Sequence, residues 1–230
     1  MKTIGLLGGM SWESSAEYYR IINREIHGRL GGTHSAKCLM YSFDFAEIEE
    51  LQMRGDWTGA TARMVEAAQC LARGGADFLV ICTNTMHKMA DEVAAGSQLP
   101  VLHIADAAAK QITGRGYRTI GLLGTMFTME EAFYKDRLTT RHGLEVLVPP
   151  KEDRLIVHRV IYDELVSGKT LAASRDEYRR IIESLARGGA RGILLGCTEI
   201  GLLIKKDDSP VELFDTTEIH ARAAVEYALG

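Results

Sequence analysis

A chain of 230 residues, 46% hydrophobic and 25% charged, with a formal net charge of −4, has the balance of a globular protein. It is long enough for one large α/β domain or two small ones. The acidic balance excludes the basic footprint of a nucleic-acid binder. No run of about 18 apolar residues is present to span a membrane. The opening apolar run is broken at Gly8-Gly9, short of signal-peptide length, so a cytoplasmic location is expected.

In chain order, short β-branched and Leu-rich runs alternate with longer amphipathic segments. Strands are expected at 3–7, 37–43, 78–82, 101–104, 119–123, 144–148, 192–195 and 211–214. Helices are expected at 14–29, 46–54, 58–73, 86–94, 105–113, 129–141, 154–166, 173–187 and 218–228. Thr58 reads as an N-cap, and Arg73-Gly74-Gly75 as a glycine stop. Continuous apolar strands between helices predict parallel sheets covered on both faces. Pro100, Pro149, Pro150 and Pro210 fall at strand starts or in loops, where a missing N–H does least harm.

The chain repeats itself. Thr3-Ile4-Gly5-Leu6-Leu7-Gly8 recurs as Thr119-Ile120-Gly121-Leu122-Leu123-Gly124, and nine of the eighteen positions from residue 3 are identical to their counterparts. A second block, Leu71-Ala72-Arg73-Gly74-Gly75-Ala76, recurs as Leu185-Ala186-Arg187-Gly188-Gly189-Ala190. Two matches in the same order mark a duplicated unit. Extending the second block pairs Thr83 with Cys197, and Cys82 with Gly196. Identity disappears at these strand ends, which is where parallel sheets carry out small-molecule chemistry.

Cys82-Thr83-Asn84-Thr85 and Gly196-Cys197-Thr198-Glu199 should each end a strand and open a helix. Free N–H groups at a helix start bind a carboxylate and lower the pKa of a thiol placed there. Two related loops on opposite sides of one cleft would suit racemisation: one group removes a Cα proton and the other returns it from the opposite face. The alternative is that Cys197 packs as a small apolar residue and Thr83-Asn84-Thr85 only caps a helix. The four cysteines form no CxxC pair and stand beside no histidine cluster at metal-ligand spacing.

Gly8 to Ser14 (G-G-M-S-W-E-S), Thr83 to His87 (T-N-T-M-H) and Gly196 to Ile200 (G-C-T-E-I) resemble, in order and across the chain, the aspartate/glutamate racemase family. The resemblance implies an α/β fold of two pseudo-symmetric Rossmann-like halves. Each half is a parallel sheet flanked by helices, with the active site between them. The expected division is 1–98 plus 212–230 against 99–211, the last helix returning to the first half. The resemblance also implies no cofactor: neither pyridoxal phosphate, nor nucleotide, nor metal. Cys197 and Thr83 fall on the family's two catalytic positions. The family usually carries cysteine at both, so Thr83 is a departure that makes the two substrate faces unequal. Cys82, one residue early, points the opposite way on an extended chain and reads as packing.

Met10, Gln52, Asn84, Thr85, Thr125, Thr128, Thr198 and Glu199 are the expected substrate contacts. Gln52 and Arg54 sit at the end of a helix, where the resemblance places side-chain recognition. Met10 reads alternatively as core, Thr125 and Thr128 as helix caps, and Arg54 as a solvated helix-end cation. Aspartate-selective relatives carry a lysine in the region where this chain has Asp163-Glu164. His87 and His103 read as structural histidines. The expected partner is a small-molecule amino acid, with neither nucleic acid nor membrane, and a homodimer is left open. Competing readings are a hydantoin racemase, a maleate isomerase, an arylmalonate decarboxylase acting from one face, and a non-catalytic amino-acid-binding protein. Dinucleotide binding is disfavoured, because Gly8-Gly9 lacks GxGxxG spacing.

Overall fold

The computed structural model describes all residues, 1–230, and the chain divides into two compact units, Met1–His103 with His220–Gly230, and Ile104–Ile219. The first unit opens with β1 (Ile4–Gly8), α1 (Trp12–Leu30) and β2 (Cys38–Ser42). It continues with α2 (Phe45–Met53), α3 (Trp57–Arg73), β3 (Phe78–Ile81), α4 (Ala90–Ser97) and β4 (Val101–Leu102). Its sheet is parallel, in the order β2-β1-β3-β4. β1 and β3 are buried along their whole length, as central strands of a sheet covered on both faces must be. One face packs Leu7, Leu79 and Ile81 on α3 residues such as Met64 and Ala67. The other packs Ile4, Leu6, Val80 and Cys82 on Tyr18 and Ile22 of α1 and on Ala221 and Val225. Alternate strand residues feed the two faces, the period of two that a pleated strand imposes.

The second unit runs through α5 (Ile104–Gly114), β5 (Thr119–Gly124), α6 (Met126–Glu130), α7 (Ala132–Asp136), β6 (Glu145–Leu147) and α8 (Lys151–Asp163). It then adds α9 (Ala172–Arg187), β7 (Gly192–Gly196), α10 (Ile200–Leu203) and β8 (Glu212–Asp215). The chain re-enters the first unit within α11 (Thr216–Leu229). The sheet is again four-stranded and parallel, in the order β6-β5-β7-β8. The strand registers carry the duplication: Gly5 pairs with Leu79 in one sheet, and their counterparts Gly121 and Ile193 pair in the other. Leu7 and Ile81 likewise map onto Leu123 and Leu195. Thr83 and Cys197 therefore stand two residues beyond the equivalent paired positions Ile81 and Leu195.

Three local expectations need correction. The helix expected at 129–141 is broken: Glu131 is extended (φ −78°, ψ 149°) between α6 and α7, and a widened turn follows at Arg137–Arg141. The helix expected from 154 starts at Lys151, behind Pro150, whose φ of −53° suits the entry to a helix. The cap of α3 is Asp56, accepting from the Gly59 N–H at 2.8 Å, not Thr58. The division of the chain falls at 103/104 and 219/220, where the sequence places it at 98/99 and 211/212. β4 pairs with β3 and so belongs to the first sheet, while β8 pairs with β7 and belongs to the second.

Candidate active site

In the second unit the bare backbones of β5 and β7 approach closely at their ends. A Cβ on Gly124 would stand 2.7 Å from the Gly196 carbonyl, and one on Gly196 would stand 2.8 Å from the Leu122 side chain. The chain then turns through Cys197-Thr198-Glu199 into α10. All three side chains are buried, and they share one atom: Glu199 Oε2 accepts from the Cys197 thiol at 3.0 Å and from the Thr198 hydroxyl at 2.8 Å. A carboxylate taking two such bonds is a strong acceptor held in a fixed place. Asp215, at the end of β8, accepts from the backbone N–H groups of Thr217 and Glu218, and a side chain at Gly201 would collide with its carboxylate. Burial raises the Asp215 carboxyl above its ordinary value.

The expectation that a helix start would lower the Cys197 pKa is overturned. Burial, then the Glu199 carboxylate, and more weakly Asp215, push the thiol well above its ordinary value. The helix that follows, α10, has only four residues and begins three positions later, so its dipole offers little against two carboxylates. The resting sulfur is a thiol donating to Glu199, not a thiolate. Tyr178 lies in the same buried region, its hydroxyl donating to the Val157 carbonyl at 3.0 Å.

The neighbouring loop, after β5, holds Thr125 and Thr128. Thr125 Oγ1 accepts from the Thr128 N–H at 3.3 Å and lies 3.2 Å from the Thr128 hydroxyl, so these residues do cap α6. The Met126 N–H is taken by His158 Nδ1 of α8 at 3.3 Å. Burial holds the His158 imidazole below its ordinary value, and a neutral ring is what that acceptor role requires.

In the first unit β3 delivers Cys82 into the apolar core, where burial raises its thiol far above the ordinary range. Thr83 follows on the other side of the chain and is half-buried, while Cys82, Asn84, Thr85 and Met86 around it are buried. His87 binds back to the Thr83 carbonyl at 2.7 Å. Gln52 of α2, buried, donates to the Met86 sulfur at 3.1 Å, which brings it to the Thr83 loop. Met10 is buried in the core beside Leu7 and Met86. Arg54 is exposed and ion-paired with Glu50, a solvated helix-end cation. Glu164 accepts from the Ser174 hydroxyl at 2.9 and 2.7 Å.

Thus the structure gathers Cys197, Thr198 and Glu199 in one unit beside the Asp215 field, and Thr83, Asn84, Thr85 and Gln52 in the other. Residues that sequence reasoning missed are Asp215, Tyr178 and His158. Asp215 carries a faint signal, an acid at a strand end followed by Thr216-Thr217; the other two are ordinary helix residues in sequence. No group of three His, Cys, Asp or Glu side chains is arranged to hold a metal ion.

A duplicated α/β fold with polar and thiol side chains just beyond matching strand ends defines the class. A family model described as Asp/Glu/hydantoin racemase matches residues 7–224, and the chain belongs to that family. Among solved structures it resembles a candidate Asp/Glu racemase from Yersinia pestis, 54% identical over the whole of both chains with a TM-score of 0.93. It also resembles an aspartate racemase homologue from Pyrococcus horikoshii OT3, 36% identical over both whole chains with a TM-score of 0.84. The broad specificity amino-acid racemase RacX of Bacillus subtilis (strain 168) is 20% identical, the match covering 99% of this chain and 98% of that protein.

Proposed function

We propose that the protein is an isomerase that interconverts L- and D-aspartate or glutamate by proton transfer at Cα, without cofactor, using Cys197 on one face and Thr83 on the other. The observation that carries this reading is the hydrogen-bonded Cys197–Glu199 pair at one strand end, with Thr83 at the equivalent end of the other sheet. Glu199 accepts the thiol proton along the existing S–H···O bond. The thiolate so formed takes the Cα proton of the L-isomer and becomes a thiol again. The Thr83 hydroxyl delivers its own proton to the opposite face and is reprotonated from water, and Glu199 releases the proton it took to the hydroxide so left, which restores the starting state. Thr85, Thr125 and Thr128 offer hydroxyls to the α-carboxylate, whose developing charge must be stabilised in the planar intermediate, while the Thr198 hydroxyl stays committed to Glu199. Met10, Asn84 and Gln52 are the remaining substrate contacts of this reading, with Gln52 meeting the side-chain carboxylate. Identity of 54% with a candidate Asp/Glu racemase and of 36% with an aspartate racemase homologue supports the acidic substrates; RacX supports a broader range.

The asymmetry of the pair is testable. A hydroxyl lies many pKa units above the working pH, so Thr83 is a poor base towards the D-isomer, and each 1.36 kcal/mol on the barrier is about tenfold in rate. The equilibrium constant is one, so kcat/KM is equal in both directions and the asymmetry falls on kcat and KM separately. Thr83→Cys is expected to raise kcat from D-substrate, and Cys197→Ala to abolish turnover of both enantiomers. Equal kcat values unchanged by Thr83→Cys contradict the asymmetry, and an active Cys197→Ala contradicts the reading.

One observation favours a second reading. A lone thiol held protonated is also the equipment for one-face protonation after decarboxylation of a malonate-type acid, and release of carbon dioxide from such acids, with no racemisation, would identify it.

A further inference from the structure

The first unit buries three histidines side by side. His87, His103 and His220 are at most 5% exposed, with the His87 ring centroid 4.6 Å from that of His103 and 5.6 Å from that of His220. Two of them are orientated by hydrogen bonds that leave no choice of tautomer. His220 Nε2 meets the Leu102 carbonyl at 2.7 Å and must donate to it; Nδ1, 2.8 Å from the Tyr18 hydroxyl, is then the acceptor of a neutral ring. Burial lowers the His220 pKa to about 4, which keeps the ring neutral. His87 Nδ1 meets the Thr83 carbonyl at 2.7 Å, and because a carbonyl only accepts, Nδ1 must carry the proton. Neighbouring rings therefore carry these protons on opposite nitrogens, His87 on Nδ1 and His220 on Nε2.

The position of the cluster in the chain is unusual. His103 is the last residue of the first unit before the chain leaves it, and His220 is the first after the chain returns. Both rings pack on His87, and His87 holds the carbonyl of the one half-buried residue in a buried loop. We propose that His87 is a positioning residue: its Nδ1–H fixes the Thr83 peptide, and the His103 and His220 rings, planted at the two ends of the connections between units, fix His87. The orientation of the Thr83 hydroxyl thereby depends on side chains that never touch substrate. This rests on the reading of Thr83 as a proton donor, so the test carries a control for that reading.

The full-length chain is assayed for racemisation of L-aspartate and L-glutamate as wild type, His87→Leu, His87→Asn and Thr83→Ala. Leu keeps the apolar volume and removes the donor. Asn restores it, because its amide nitrogen stands where Nδ1 does, one bond from Cγ. The expected result is a fall in kcat of at least about tenfold for His87→Leu, with KM within about twofold, and recovery by His87→Asn to within about threefold of wild type. In the native protein, long-range proton–nitrogen NMR is expected to show His87 as the neutral Nδ1–H tautomer and His220 as the neutral Nε2–H tautomer. The proposal is overturned if His87 is an Nε2–H tautomer, if His87→Asn is as impaired as His87→Leu, or if His87→Leu equals wild type while Thr83→Ala is inactive. Full activity of Thr83→Ala removes the premise instead and takes the positioning role with it. Should His87→Leu fail to fold, His87→Asn and the tautomers decide.

Discussion

Replacing Glu199 with Gln is expected to make Cys197 more reactive and the protein less active. The two side chains are joined by a 3.0 Å hydrogen bond in a buried site, and the carboxylate is one of the causes raising the thiol pKa. Two unit charges about 4 Å apart interact by about 4 kcal/mol at an effective dielectric of about 20. Removing that repulsion lowers the thiol pKa, and reorganisation of the pocket limits the fall. A larger thiolate fraction outweighs the lower nucleophilicity of a less basic thiolate, so alkylation at neutral pH should quicken by about 3- to 30-fold. The assay is iodoacetamide modification at the Cys197 peptide by mass spectrometry, with the partly exposed Cys38 and Cys70 replaced by Ala. Racemisation should meanwhile fall by about 100-fold or more, because a neutral amide cannot take the thiol proton. Slower alkylation in Glu199→Gln, or undiminished turnover, refutes the role assigned to the carboxylate.

Cys82 packs in the core with Leu6 and Val80, so Cys82→Ala should cost about 1 kcal/mol in denaturant unfolding and leave racemisation intact. Gly9 has a φ of +86°, and a side chain there would strike the Phe43 backbone, so Gly9→Ala should lose about 3 kcal/mol by the same measurement. His220 is neutral in the fold down to about pH 4, whereas in the unfolded chain it gains a proton near its ordinary value. The unfolded state therefore binds the extra proton, and stability is lost as pH falls from about 6.5 to 4, by about 3 kcal/mol in all. Midpoints of urea unfolding across that window should slope less in His220→Gln than in wild type.

The sheet and the pair of strand ends were legible because the repeat carries its own alignment. Thr3–Gly8 and Thr119–Gly124 match residue for residue, the second blocks match likewise, and the strand registers repeat the correspondence of Gly5–Leu79 with Gly121–Ile193. That alignment is what separates Thr83 from Cys82, a distinction of one residue. The electrostatics around Cys197 were not legible, since a thiol before a helix reads the same whether the helix has four residues or fourteen. Glu199 was expected to touch substrate; that it first accepts from Cys197 depends on a turn whose shape is set by Gly196 against Leu122 and Leu123. The break at Glu131 was hidden because no Gly or Pro lies between Met126 and Arg141 to announce it. His158 and Met126 are 32 positions apart, and nothing in either neighbourhood announces their hydrogen bond.

The most direct test of proton transfer at Cα is solvent deuterium. The purified protein, with no additions, is incubated in deuterium oxide with L- or D-aspartate or glutamate, and the Cα–H signal is followed by NMR beside the optical form of the product. Loss of the Cα–H signal with formation of the opposite enantiomer, absent in Cys197→Ala, is the predicted result for at least one of the two acids. Binding of these amino acids with no Cα–H loss would identify a binding protein, and exchange that survives in Cys197→Ala would place the chemistry elsewhere; either contradicts the account.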